Sequence, residues 1–188
     1  MKLSGSYQIN LEKQKVWEAL NDPEILKKAI PGCEEFVKNS ETKFTATATN
    51  KIGPFNASFT GDIELKDLNP PHSYKITGSG NSPVGFANGE ATVTLEDFEE
   101  GTKLNYTVEA NVGGKIVQVG SRLIDMTAKK MTDIFFGKFS ELISTKSELE
   151  KTTIPSEVAI PREKKAKNKS FIIVSVVIVL GIVIYSLS

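Results

Sequence analysis

Up to about residue 112 the chain alternates apolar and polar positions in short runs, interrupted once by a helical stretch. Leu3, Gly5, Tyr7 and Ile9 face one way and Lys2, Ser4, Ser6 and Gln8 the other, which predicts a first strand with one wet face. Asn10 is placed to cap a helix containing Val16, Trp17, Ala19 and Leu20. Asp22 and Pro23 are placed to start a second, Glu24 to Ile30, which Pro31 and Gly32 end. In "FNASFTGDIEL" Phe55, Ala57, Phe59, Gly61, Ile63 and Leu65 share one side. The same two-residue period returns in Phe44/Ala46/Ala48, Tyr74/Ile76/Gly78/Gly80, Gly89/Ala91/Val93/Leu95 and Leu104/Tyr106/Val108/Ala110/Val112. Turns such as "NPPHS" and "EEGTK" join these runs into an antiparallel meander.

After Gly113 and Gly114 the period becomes helical and stays so to about Leu149. At 100° per residue Ile116, Gly120, Leu123, Ile124, Thr127, Met131, Ile134, Phe135 and Leu142 form the apolar face; Lys115, Gln118, Arg122, Asp125, Lys129 and Asp133 lie opposite. The predicted order is one strand, two short helices, six strands and one long helix. This is an α+β fold in which a curved antiparallel sheet of about seven strands wraps the helix. The inward strand positions are small: Ala46, Ala48, Ala57, Gly61, Gly78, Gly80, Gly89, Ala91 and Ala110. Either the helix sits unusually close or there is a hollow, and a hollow is the expected answer, an apolar pocket for a small molecule. Phe59, Tyr74, Phe86, Tyr106, Leu123, Met131 and Phe135 are its candidate lining. Thr127 is its one polar group on the helix, with a bond back to the helix backbone as the alternative.

A different pattern closes the chain. Phe171 to Leu187 is an apolar run of 17 residues without a charge, about 26 Å as a helix against a hydrocarbon core of about 30 Å. Arg162, Lys164, Lys165, Lys167 and Lys169 precede it. The expected organisation is a domain over 1–149, a basic flexible tether over 150–170 and a single-pass C-terminal membrane anchor over 171–187. Phe171, Val174, Ile178, Ile182 and Tyr185 would lie along the anchor, with the domain on the cytoplasmic side. The N-terminus, MKLSGSYQIN, shows no secretory signal pattern.

Charge sharpens this division. The whole chain balances 23 Lys/Arg against 23 Asp/Glu, but residues 1–150 hold 17 against 21 and the remainder 6 against 2. A mildly acidic domain argues against nucleic-acid binding. One cysteine, Cys33, and one histidine, His72, exclude an internal disulfide and a multi-histidine metal site. Cys33 reads as a small buried side chain, His72 as a turn residue and Trp17 as core. Gln118 and Arg122, on the polar helix face, are assigned to partner docking, with bracing of the "IPGC" loop or a solvated face as alternatives.

Three segments carry a family resemblance: "AIPGCEEF" (29–36), "KIGPFNASFTG" (51–61) and "GGKIVQVGSRLIDMTAKKMTDIFFGKF" (113–139). With the order of elements they resemble the carbon monoxide dehydrogenase G-subunit (CoxG) family of the START-like, or SRPBCC, helix-grip superfamily, over roughly Met1 to Lys146. The resemblance implies a non-enzymatic accessory of molybdenum-containing CO dehydrogenases, membrane-associated in many members, with a cavity suited to a membrane quinone or other isoprenoid lipid and no covalently bound cofactor. It supplies no catalytic residues. Two other functions stay open: an assembly or recruitment factor without ligand, and a cavity enzyme resembling the polyketide cyclase and dehydratase branch. The inward positions hold no Asp, Glu, Lys or His, which disfavours acid–base chemistry there.

Overall fold

The computed structural model describes residues 1–152. β1 (Lys2–Ile9) leads into α1 (Lys13–Ala19) and α2 (Pro23–Ala29). The chain then makes β2 (Cys33–Lys38), β3 (Lys43–Ile52), β4 (Phe55–Asn69), β5 (Ser73–Ser82), β6 (Gly85–Phe98) and β7 (Gly101–Gly113). A 3₁₀ segment (Lys115–Val119) precedes α3 (Ser121–Thr152). One antiparallel sheet runs β1-β7-β6-β5-β4-β3-β2, so six strands form a meander and β1 closes on its far edge. The expected α+β helix-grip order is observed. The first residues of the expected tether, 150–152, belong to α3; the rest of it and the anchor residues Phe171, Val174, Ile178, Ile182 and Tyr185 lie outside the described residues. Among the described residues no helix is long and apolar enough to cross a membrane.

Three local expectations need correction. Asn10 does not cap α1: the N-cap is Glu12, with no side-chain bond. By contrast Asp22 caps α2, accepting from the backbone N–H groups of Glu24 and Ile25 at 3.0 and 3.4 Å. β2 had no alternation to betray it, because of its six residues only Phe36 is buried. Third, the helical stretch after Gly114 is not continuous. Gly120, at φ 87°, ends the 3₁₀ segment and starts α3 afresh.

That break resets the helix phase. The buried stripe of α3 is Ile124, Ala128, Met131, Thr132, Phe135, Phe136, Phe139 and Ile143, about a quarter turn from the face projected through Ile116 and Gly120 as if one helix held both. Leu123 and Ile134, projected inward, are 37% and 47% exposed. Thr132 is the buried hydroxyl, bonded back to the carbonyl of Ala128 at 3.0 Å, while Thr127 is half-buried.

"IPGC" is a pinned turn. Gly32 has φ 69°, and a Cβ there would stand 2.2 Å from the Thr49 carbonyl oxygen. Thr49 N–H donates to Gly32 O at 2.9 Å, and Asn50 Nδ2 to Pro31 O at 3.1 Å. Only glycine lets the turn press this closely on β3.

Candidate functional site

The space between sheet and α3 is built from complementary sizes. Successive strand partners Ala46, Gly61, Gly80 and Ala87 make a row of small, buried residues across β3 to β6. Against them α3 sends Phe135, Phe136 and Phe139, each at most 2% exposed. Rings from the helix occupy volume that the sheet gives up, in accord with the density of protein interiors. The rings pack on one another: Phe135 meets Phe136 edge-on at 5.0 Å and stacks with Phe139 at 5.6 Å. Phe136 also stacks on Tyr7 at 4.0 Å and Tyr106 at 5.8 Å.

Of the expected lining, Phe59, Tyr74, Tyr106, Met131 and Phe135 come together in this interior, at 0–7% exposure. Phe86 does not. It has the wrong parity for the inner face of β6, where Ala87 and Ala91 point inward, and its ring covers Gly113. Leu123 is outside because of the reset phase. Gln118 and Arg122 are exposed, on the 3₁₀ segment and the first turn of α3.

The expected hollow takes a different form. Clefts found among the described residues have volumes of about 460 and 530 Å³ and are lined by polar positions such as Asp62, Glu64, Thr77 and Ser79, or Asn88, Glu90, Glu109 and Asn111. The five interior residues line neither of them. In the interior the aromatic rings of α3 are buried and packed on one another.

The interior is not uniformly apolar. Tyr74 is 1% exposed, touches Trp17 edge-on at 5.4 Å, and its hydroxyl has no hydrogen-bond partner among the described residues. Burial pushes its pKa well above the usual tyrosine value. A buried donor without an acceptor is an uncommon and unfavourable arrangement. Sequence pattern marked Tyr74 as inward but could not show that its hydroxyl goes unpaired. A second unpaired atom, Asn21 Oδ1, belongs to a side chain whose amide donates to the Trp17 carbonyl.

Tyr7 was not anticipated as part of any site. Its hydroxyl donates to Asp133, joining β1 to α3. Burial first, then that carboxylate, raises its pKa. Cys33, expected to be buried, is half-buried, and that burial pushes its thiol up to about 11. Among the described residues no group of His, Cys, Asp and Glu is arranged to hold a metal.

Residues 5–144 match the family of the carbon monoxide dehydrogenase G-subunit, CoxG. The chain belongs to the CoxG family. A conserved protein from Geobacillus kaustophilus is 32% identical, with a TM-score of 0.73 over 77% of this chain and 96% of that one. This CoxG-family protein shares its fold more distantly with TTHA0849 from Thermus thermophilus, at 16% identity and TM-score 0.61 over 78% of this chain and 99% of that one. The Zhui aromatase/cyclase from Streptomyces sp. R1128 shares it at 10% and 0.55, over 77% and 93%. No match is found among functionally curated proteins. These neighbours share the helix-grip arrangement, a curved antiparallel sheet with a long C-terminal helix.

Proposed function

We propose that this protein is a membrane-held, non-enzymatic carrier of a hydrophobic ligand, an isoprenoid quinone in the first instance, serving a CO dehydrogenase-type molybdenum enzyme. The observation that carries the reading is the unpaired hydroxyl of Tyr74 inside a predominantly apolar interior. A quinone head group brings a carbonyl acceptor to such a donor, and the isoprenoid tail takes the place of side-chain contacts. The aromatic rings of α3 yield the volume, and Gly120 is the point where α3 can tilt without bending its own helix. The apolar run at 171–187 behind its basic residues supports holding the carrier where such a ligand dissolves.

Filled packing favours a second reading, in which the domain recruits the enzyme and carries nothing. Solvent extraction of the full chain, purified gently from its native membranes, followed by mass spectrometry separates the two. The carrier reading expects a stoichiometric isoprenoid quinone that is depleted in Tyr74→Phe and Phe135→Ala. An empty protein that still co-purifies with its enzyme supports recruitment.

A further inference from the structure

One end of the domain differs from the rest in two independent ways. It is built by the β3–β4 turn, the β5–β6 turn, the 3₁₀ segment and the first turns of α3. A Cβ at Gly53 would stand 3.4 Å from Leu123 and 3.5 Å from Val119, and Ile116 N–H donates to the Val84 carbonyl at 3.0 Å. Large apolar side chains stand out into solvent here: Met126 is 62% exposed, Val117 47% and Phe86 45%. Leu123, Met126 and Lys130 project on the side of α3 away from its buried stripe.

The second difference is charge. Lys51, Lys115, Arg122, Lys129 and Lys130 are exposed at this end, and among the described residues none of them is in an ion pair. Across 113–132 the single acidic residue is Asp125. Elsewhere several lysines are answered by acids: Lys2 by Glu109, Lys13 by Asp97, Lys75 by Asp67 and Lys146 by Asp22, at 2.6–3.0 Å. Lys27, Lys28, Lys38 and Lys103 are also in no ion pair but are spread over α2, β2 and β7, whereas Lys51, Lys115, Arg122, Lys129 and Lys130 gather where exposed apolar side chains do.

We propose that this end docks on an anionic lipid bilayer. Val117, Leu123 and Met126 enter the boundary between head groups and acyl chains, and the surrounding cations meet the anionic lipid. Charge complementarity selects the bilayer as occupant, and the basic residues 162–169 beside the apolar run carry the same sign. The inference rests on the membrane-held part of the proposed function and is independent of ligand identity.

The test uses the full chain in a Cys33→Ser background, carrying an environment-sensitive fluorophore at Met126→Cys or, at the opposite end, His72→Cys. Vesicles of phosphatidylcholine alone, or with phosphatidylglycerol, contain a nitroxide-labelled acyl chain as quencher. Quenching at 126 is expected to exceed that at 72 several-fold on the anionic vesicles and to fall at high salt. Lys115→Gln and Arg122→Gln should each weaken docking about five-fold, the equivalent of about 1 kcal/mol per surface cation. A chain that floats with the vesicles while 126 is quenched no more than 72 overturns the docking and leaves the anchor standing. Equal quenching on neutral vesicles, insensitive to salt, overturns it too. A chain that does not float at all sinks both docking and anchor. If the purified molybdenum enzyme shields position 126 without vesicles, the surface is a protein interface and the proposal fails.

Discussion

Replacing Tyr74 by phenylalanine removes one oxygen from the centre of the protein and nothing else. Burying an unpaired hydroxyl costs about 1–3 kcal/mol, against which stand the few dispersion contacts the oxygen makes. The variant is therefore expected to be more stable at neutral pH by about 1 kcal/mol, near 3 °C in Tm for a domain of this size. The effect has a pH signature. Burial holds the Tyr74 pKa above its unfolded value near 10, so the neutral form is favoured by folding and its contribution is complete below pH 10. Above pH 10 the unfolded chain releases a proton that the folded one keeps, and stability falls by about 1.4 kcal/mol per pH unit for this group. Tyr74→Phe removes that slope. Trp17, the single tryptophan, lies edge-on to Tyr74 at 5.4 Å and reports unfolding directly by fluorescence in a detergent-solubilised full chain. In the ligand-free chain a variant less stable than the parent by 1 kcal/mol or more would refute the reasoning, because the hydroxyl would then have a partner within the protein.

Gly32→Ala should lose roughly 2–4 kcal/mol, since it combines a left-handed backbone with a 2.2 Å approach to a carbonyl oxygen, and a denaturant titration reads it. Phe135→Ala should lose about 3–5 kcal/mol in the same assay, the cost of a large buried cavity under α3. Asp22→Ala should lose about 1 kcal/mol with the α2 cap while Asn10→Ala stays within about 0.5; equal losses would contradict the cap assignment.

Much of this fold was legible because its signals are local. The two-residue alternation in β3 to β7 and the Asp-Pro start of α2 each depend on neighbours along the chain. What failed depended on phase carried across a break. Gly120 turns the helix by a quarter, which exchanged Thr127 for Thr132 and put Leu123 outside, and no periodicity computed through residue 120 contains that information. Phe86 failed for a simpler reason: its aromatic character outweighed its parity. The size pattern in the sheet was read correctly as small, but its meaning lay on the facing helix. The pattern could not show that the facing helix brings three buried phenylalanines to the same interior. The unpaired state of Tyr74 was out of reach altogether, because it is a property of everything that surrounds the oxygen.

α3 carries the chain out of the core at its C-terminal end. After the buried Ile143, Ser144, Thr145 and Lys146 are exposed, and the helix runs on to Thr152. The chain thus leaves the domain along a rod and not from a loop. Lys146 clasps Asp22 near the base of that rod, at the end of the molecule opposite Val117 and Met126. A force applied at the C-terminal end of α3 therefore acts on the same helix whose Phe135, Phe136 and Phe139 pack in the interior.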